Sequence, residues 1–249
     1  MRRGPVVAVL VVAWAAAACG AEPATGDRSA RSPQASPTEP SASAAPPSAA
    51  TPNTGRPSPR RPVRGVDASH HLGDIDWQQV RQDRVEFAYL KATEGSSFTD
   101  PRFVDHARAA RRAGLRVGGY HYFSLCSAGA PQAEHFAEVL GRAEARSLPP
   151  AIDLELLGSC SDPPARPDLL REVRGFIDAV ERRTGQRIVV YSYPDFESRY
   201  RIADALDRRR WVRRIGTSPP AGDWWIWQHD DQARIDGIDG QADLNLMRP

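Results

Sequence analysis

From residue 63 onward the chain alternates two hydrophobic patterns. Short runs whose apolar positions are continuous or recur every second residue predict strands over 65–69, 86–91, 116–122, 151–156, 187–191 and 224–228. Longer stretches with apolar residues on one helical face predict helices over 76–82, 102–113, 130–145 and 167–183. Gly114 and Gly185 follow their helices where a left-handed cap is expected. Pro167 falls in a first turn, where a missing N–H leaves no partner unsatisfied. Strands alternating with helices predict parallel pairing and an α/β fold. Closing a barrel takes about eight strands, and six are clear here. The expectation is an irregular (β/α) TIM-like barrel in one domain, residues 63–249, with a doubly wound open sheet as the alternative.

The first 62 residues do not share this pattern. Arg2 and Arg3 precede an apolar stretch, 6–18, that is too short for an ordinary transmembrane helix and suits a signal-peptide core. It ends Ala16-Ala17-Ala18-Cys19, which resembles a bacterial lipobox with Ala16 at the usual leucine position. Residues 1–19 are therefore read as a signal peptide of lipoprotein type with Cys19 lipidated, ordinary cleavage being the alternative. Residues 20–62 are Ala, Pro and Ser rich with almost nothing apolar larger than alanine, so they bury too little to offset chain entropy. A Pro-rich spacer of about forty residues, at ~3.1 Å each, reaches on the order of 100 Å. The expected protein is exported and either anchored to the cell membrane or released to the cell wall.

Composition narrows the classes. Apolar residues make up 41% and charged ones 26%, ordinary for a globular domain. The formal net charge of +2 argues against a dedicated nucleic-acid binder. Lys91 is the only lysine; every other basic side chain apart from histidine is arginine. Cys126 and Cys160 each follow an expected strand, and in an exported chain that invites a disulfide closing a loop of roughly 34 residues. A cysteine nucleophile served by His121 is the alternative.

The strongest chemical signal is Ala151-Ile152-Asp153-Leu154-Glu155-Leu156. Side chains alternate along a strand, so Asp153 and Glu155 share a face while Ile152, Leu154 and Leu156 take the other. Two like charges side by side resist burial, and a barrel tolerates them at the mouth formed by its strands' C-terminal ends. Such a pair has its proton affinities driven apart, as glycoside hydrolysis requires of its acid and its carboxylate. Asp67 closes the first expected strand and Asp243 lies near the chain's end, two parts that a barrel brings together.

The ordered motifs carry a resemblance. Gly65-Val66-Asp67-Ala68-Ser69-His70-His71 followed by Gly73-Asp74-Ile75-Asp76-Trp77 resembles the opening of glycoside hydrolase family 25, the muramidase-type lysozymes. Residues 87–95, with Lys91 and Glu94, and Gly118-Gly119-Tyr120-His121-Tyr122-Phe123 are similar to its second and third strands. Asp153-Leu154-Glu155, Val190-Tyr191-Ser192, Trp225-Ile226-Trp227-Gln228 and Asp243-Leu244-Asn245 follow in family order. The resemblance implies a barrel that cleaves the β-1,4 bond between N-acetylmuramic acid and N-acetylglucosamine in peptidoglycan. It implies Glu155 as general acid and Asp153 as support for the 2-acetamido group in a substrate-assisted step, with Asp67 and Asp243 as further acids of the site. Residues 201–223, dense in arginine, depart from the pattern, and His229 stands where an aromatic ring is expected.

Tyr120, Tyr122, Tyr191, Trp225 and Trp227 offer flat apolar faces for pyranose rings, joined by Lys91, Glu94 and Gln228. Trp225 and Trp227 share one strand face, so they line the site together or pack together. His70 and His71 lack the companions of a metal motif, so neither metal nor cofactor is expected. The expected partner is the peptidoglycan glycan strand, met by a monomer with no nucleic acid and no membrane contact beyond the N-terminal lipid. The sequence holds no separate wall-binding module after the barrel, so that anchor is the expected means of retention. Competing readings are a non-catalytic glycan-binding barrel, a chitinase-like exported glycosidase and a wall-directed cysteine peptidase.

Overall fold

A computed structural model describes residues 61–249 apart from 144 and 159; the expected signal peptide, Cys19 and nearly all of the linker lie outside the described residues. The chain runs β1 Val63–Ala68, α1 Trp77–Gln82, β2 Phe87–Glu94, β3 Phe98–Thr99, α2 Phe103–Arg112, β4 Arg116–Tyr122 and α3 Gly129–Ala143. It continues with β5 Ala151–Leu154, α4 Arg166–Thr184, β6 Val189–Ser192, α5 Pro194–Tyr200, β7 Arg209–Arg213, β8 Ile226–Ala233 and β9 Ala242–Met247. The sheet order is β1-β9-β8-β7-β6-β5-β4-β2, and β1 pairs with β2 to close it, so eight strands make a barrel while β3 hangs from β2 as a short hairpin. Seven of the eight run parallel; β9 runs antiparallel to both its neighbours. The fold is an irregular α/β barrel, as the strand and helix alternation predicts.

Local sequence accounts for the elements. Asp76 caps α1 by accepting from the backbone N–H of Gln78 at 3.0 Å and of Gln79 at 3.2 Å. α4 starts with Pro167 in its first turn and ends at Gly185, whose φ of 69° is the left-handed cap. Gly118 and Gly119 are required on both sides of β4. A Cβ on Gly118 would stand 2.6 Å from the Tyr89 ring inside the barrel, and one on Gly119 would meet Leu140 of α3 at 2.4 Å.

Strand alternation sorts the core into two bodies. Inside the barrel lie Phe87, Tyr89, Ala151, Val189, Tyr191, Trp211, Ile226 and Met247. Between barrel and helices lie Val66, Leu90, Val117, Ile152, Leu154 and Val190 against Phe103, Phe136, Leu169, Phe176 and Phe196. His121 belongs to this outer layer. Its Nδ1 lies 2.8 Å from Thr93 Oγ1, its Nε2 3.1 Å from Gln132 Oε1, and its ring stacks on Phe176. Burial first of all pushes its proton affinity down to about 3, so it is a neutral structural group and no partner of a thiolate. Cys126 and Cys160 form the expected disulfide, with Cα atoms 5.3 Å apart, tying the loops after β4 and β5. Gln132 braces the first of these loops by donating to the carbonyls of Ser124, Ser127 and Ala128.

Four elements are absent from the sequence expectation: β3, α5, β7 and β9. α5 precedes the arginine-dense stretch and buries Phe196 and Tyr200, while β7 falls within it, where Trp211 alone carries the burial and the flanking Arg209, Arg210 and Arg213 break any apolar run. β8 also lies later than expected, continuing through His229-Asp230-Asp231, and Asp243-Leu244-Asn245 is itself strand.

Candidate active site

The C-terminal ends of the parallel strands open on a cavity of about 390 Å³. All four acids singled out from the sequence line it: Asp67 from β1, Asp153 and Glu155 from the end of β5, and Asp243 from β9. Asp67 lies across the β1–β9 pair from Asp243, in direct register. Tyr120, Tyr122, Tyr191, Lys91 and Gln228 line the cavity as well.

Asp67 is held by two amides whose orientations are set elsewhere. Asn245 donates from Nδ2 to Asp67 Oδ2 at 2.7 Å, while its Oδ1 accepts from Trp211 Nε1 at 2.8 Å. Gln228 donates from Nε2 to the same oxygen at 3.0 Å, while its Oε1 accepts from the Tyr191 hydroxyl at 3.1 Å. With both amide oxygens occupied, both NH₂ groups are committed to Asp67. Asp67 keeps some surface open to the cavity but is otherwise walled in by protein, and the wall decides its solvation. Burial, then the charge of Asp243, raises its proton affinity well above the usual carboxylate range, against the pull of the two amides.

Asp153 is nearly closed off, and its Oδ1 has no hydrogen-bond partner. Burial, then the neighbouring Glu155 and Asp67, raises it well above its ordinary value. The Asp153 and Glu155 carboxyls hydrogen-bond each other. Glu155 is pushed up to about 7, by burial first and then by Asp195, with Arg213 opposing. Asp243 is raised to about 6, by burial first, again with Arg213 opposing. The pair on β5 thus holds a proton at neutral pH, the condition for acid catalysis.

Two cations edge the cavity. Lys91 Nζ meets Glu94 Oε2 at 2.6 Å and lies 4.8 Å from the Tyr122 ring centre. Glu94 therefore acts on Lys91 and does not itself line the cavity. Arg213 pairs with Asp231 and lies 5.0 Å from the Tyr193 ring. The Tyr122 hydroxyl is tied to the Leu157 carbonyl.

Two expected sugar platforms are placed elsewhere. Trp225 and Trp227 share a face as alternation requires, but Ile226 and Gln228 take the inner one. Trp227 packs outside, edge-on to Trp224, with its Nε1 donating to the Arg214 carbonyl at 2.7 Å. Trp225 precedes β8 at the opposite end of the barrel, with the Arg209 guanidinium 4.6 Å over its ring. Because Gln228 and Trp227 are adjacent on one strand, only one of them can face the site. Trp211, Tyr193, Arg213 and Asn245 were missed as site residues. Asn245 was within reach, since it lies two residues beyond Asp243 and so shares its face.

The profile of Glycosyl hydrolases family 25 matches residues 66–238. Lysozyme M1 of Streptomyces globisporus is 30% identical over 196 residues, covering 74% of this chain and 67% of its own length. The uncharacterized protein YegX of Escherichia coli O6:H1 is 32% identical over 193 residues, covering 74% of this chain and 69% of its own. The solved structure of a family 25 glycosyl hydrolase from Bacillus anthracis superposes with a TM-score of 0.67 at 30% identity, over 80% of this chain and 94% of that one.

Proposed function

The chain belongs to family 25 of the glycosyl hydrolases, and from that premise we propose that Glu155 is the general acid and Asp153 the group that turns the substrate's own acetamido into the nucleophile. The enzyme is a muramidase, hydrolysing the β-1,4 bond between N-acetylmuramic acid and N-acetylglucosamine in peptidoglycan. The observation that carries the residue assignment is the hydrogen-bonded pair at the end of β5, one member buried with a free oxygen and the other raised to about 7.

The deeper Asp153 has the greater affinity for the shared proton, because burial penalises its charge most. An acetamido N–H arriving at Asp153 Oδ1 favours the charged form of Asp153 and leaves the proton on Glu155. Glu155 then protonates the glycosidic oxygen as its bond to C1 breaks, while the acetamido oxygen bonds to C1. Water next attacks C1, gives a proton to the Glu155 carboxylate, and frees the acetamido group. Asp67, fixed by Asn245 and Gln228, and Asp243 lie across the cavity, where the carboxylate form of either stabilises positive charge developing on the ring. Tyr120, Tyr122 and Tyr191 bound the sugar, with Lys91 held ready by Glu94.

The apolar stretch 6–18 and the disulfide support export, and Ala16-Ala17-Ala18-Cys19 supports a lipid anchor joined to the barrel by the linker 20–62. Digestion of purified peptidoglycan tests the assignment. Wild type should release fragments with N-acetylmuramic acid at the new reducing end, and Asp153→Asn should lose most activity. Release of reducing N-acetylglucosamine, or full activity in Asp153→Asn, would overturn it.

A further inference from the structure

The end of the barrel opposite the cavity has a character of its own. It is formed by the starts of the parallel strands and the ends of the helices, and arginine dominates it. The acids there are mostly already matched: Asp83 to Arg64, Glu138 to Arg142, Glu181 to Arg208, Asp207 to Arg187 and Asp223 to Arg248. Left over are Arg84, Arg116, Arg146, Arg182, Arg183 and Arg209, all exposed, which form no ion pair among the described residues. Glu86 and Asp178 are the acids at this end without an ion pair among the described residues. The six arginines follow neighbouring strands: Arg84 before β2, Arg116 opening β4, Arg146 before β5, Arg182 and Arg183 ending α4 beside β6, and Arg209 opening β7. They form an arc of unmatched positive charge along that rim. The cavity end is the reverse, with Asp67, Asp153, Glu155 and Asp243 inside it and Asp195, Asp230 and Asp231 acting on them. A net charge of +2 conceals this polarity.

We propose that the arginine-bearing end docks on an anionic phospholipid membrane and holds the barrel with its catalytic mouth turned away from the lipid. Headgroup phosphates complement the arc, and the same surface repels the acid-lined mouth, so orientation follows from charge alone. A membrane fits better than a soluble wall polymer for a second reason. β1 begins at this end with Val63, so the residues ahead of it, including the apolar 6–18, join the domain on the arginine face. A chain held in lipid through that segment keeps the arginine face within reach of the headgroups, and docking there would leave the glycan groove facing the wall.

The test uses the full chain with vesicles of phosphatidylcholine alone or with one third phosphatidylglycerol, followed by sedimentation at about 0.1 M salt and again at about 1 M. Binding should rise with phosphatidylglycerol and fall at high salt. Arg146→Glu with Arg182→Glu should weaken it at least about 30-fold, at roughly fivefold for each arginine lost near an anionic surface and more for each charge reversed. Arg214→Glu with Arg234→Glu, an equal charge change at the cavity end, should bind as wild type. Unchanged peptidoglycan hydrolysis by the Arg146→Glu, Arg182→Glu protein shows that it is folded, and equal melting temperatures do so for the other pair. Equal weakening by both pairs, binding indifferent to phosphatidylglycerol, or capture by a soluble polyphosphodiester without capture by vesicles would each overturn the proposal.

Discussion

At the lower end of the barrel a carboxylate meets an arginine; at the upper end it meets another carboxylate. Glu181 shows the first arrangement. Burial alone would raise its proton affinity, but Arg208 reaches it at 2.6 and 2.9 Å, the Ile188 N–H adds a third bond, and the balance falls below the ordinary value. Asp243 shows the second: buried among acids, it is raised to about 6 although Arg213 pulls the other way. The lower end spends its charges on stability; the upper end holds strain that its chemistry uses.

The sharpest way to break this contrast is Glu155→Gln. Removing a general acid should slow release of soluble muropeptides by about 100-fold or more, while the melting temperature holds or rises because a poorly solvated carboxyl has gone. A large loss of stability instead would place Glu155 with the lower-end acids. Next in size is the response to pH. A carboxyl whose folded affinity is raised stabilises most below its unfolded value and loses that stability as pH rises through the folded one. For Asp243, about 6 against an ordinary 3.8, the loss by pH 8 is about 2–3 kcal/mol. Asp243→Asn should therefore unfold at higher denaturant than wild type at pH 8 and alongside it near pH 4; the same gap at both would remove Asp243 as its cause. Glu181 has the opposite sign, contributing above its unfolded value and fading as pH falls through the lowered one.

Two smaller effects sharpen the picture. Asn245→Leu deletes one charged hydrogen bond to Asp67, worth about 1.5 kcal/mol, so turnover should fall roughly tenfold. A change confined to the melting temperature would make Asn245 a purely structural link. Arg208→Ala should lower the melting temperature by about 2–4 °C, for a loss of about 1 kcal/mol, and leave turnover alone. Altered turnover there would mean that the two ends are coupled.

How far these ends could be read from the chain follows from what each depends on. Asp153 and Glu155 were readable because strand alternation puts them on one face whatever the surrounding fold, and Asp67 and Asp243 because a barrel brings the first and last parts of the domain together. The direction of that face is another matter: for Trp225 and Trp227 the same rule gave a shared face but not the side, which Ile226 decides by filling the barrel interior. β7 was hidden because Arg209, Arg210 and Arg213 read as polar although their strand is half-buried. The unmatched arc at the lower end is invisible to a net charge, since it depends on which ends of successive elements carry the arginines.

The hydrogen bond from Asn245 to Asp67 spans 178 residues and the one from Gln228 spans 161. Considered in time, that pairing is a delay. A chain still being synthesised, or still being threaded through a translocation channel, already carries Asp153 and Glu155, yet its first strand has no antiparallel partner and Asp67 no donors. Contacts between such distant positions form late, because the loop entropy must be met before they return anything. The glycan-cutting site therefore comes into being only once β9 has arrived and shut the barrel, after nearly the whole polypeptide has been delivered. Loss of the final strand alone would leave the acid pair of β5 intact in sequence and idle in practice.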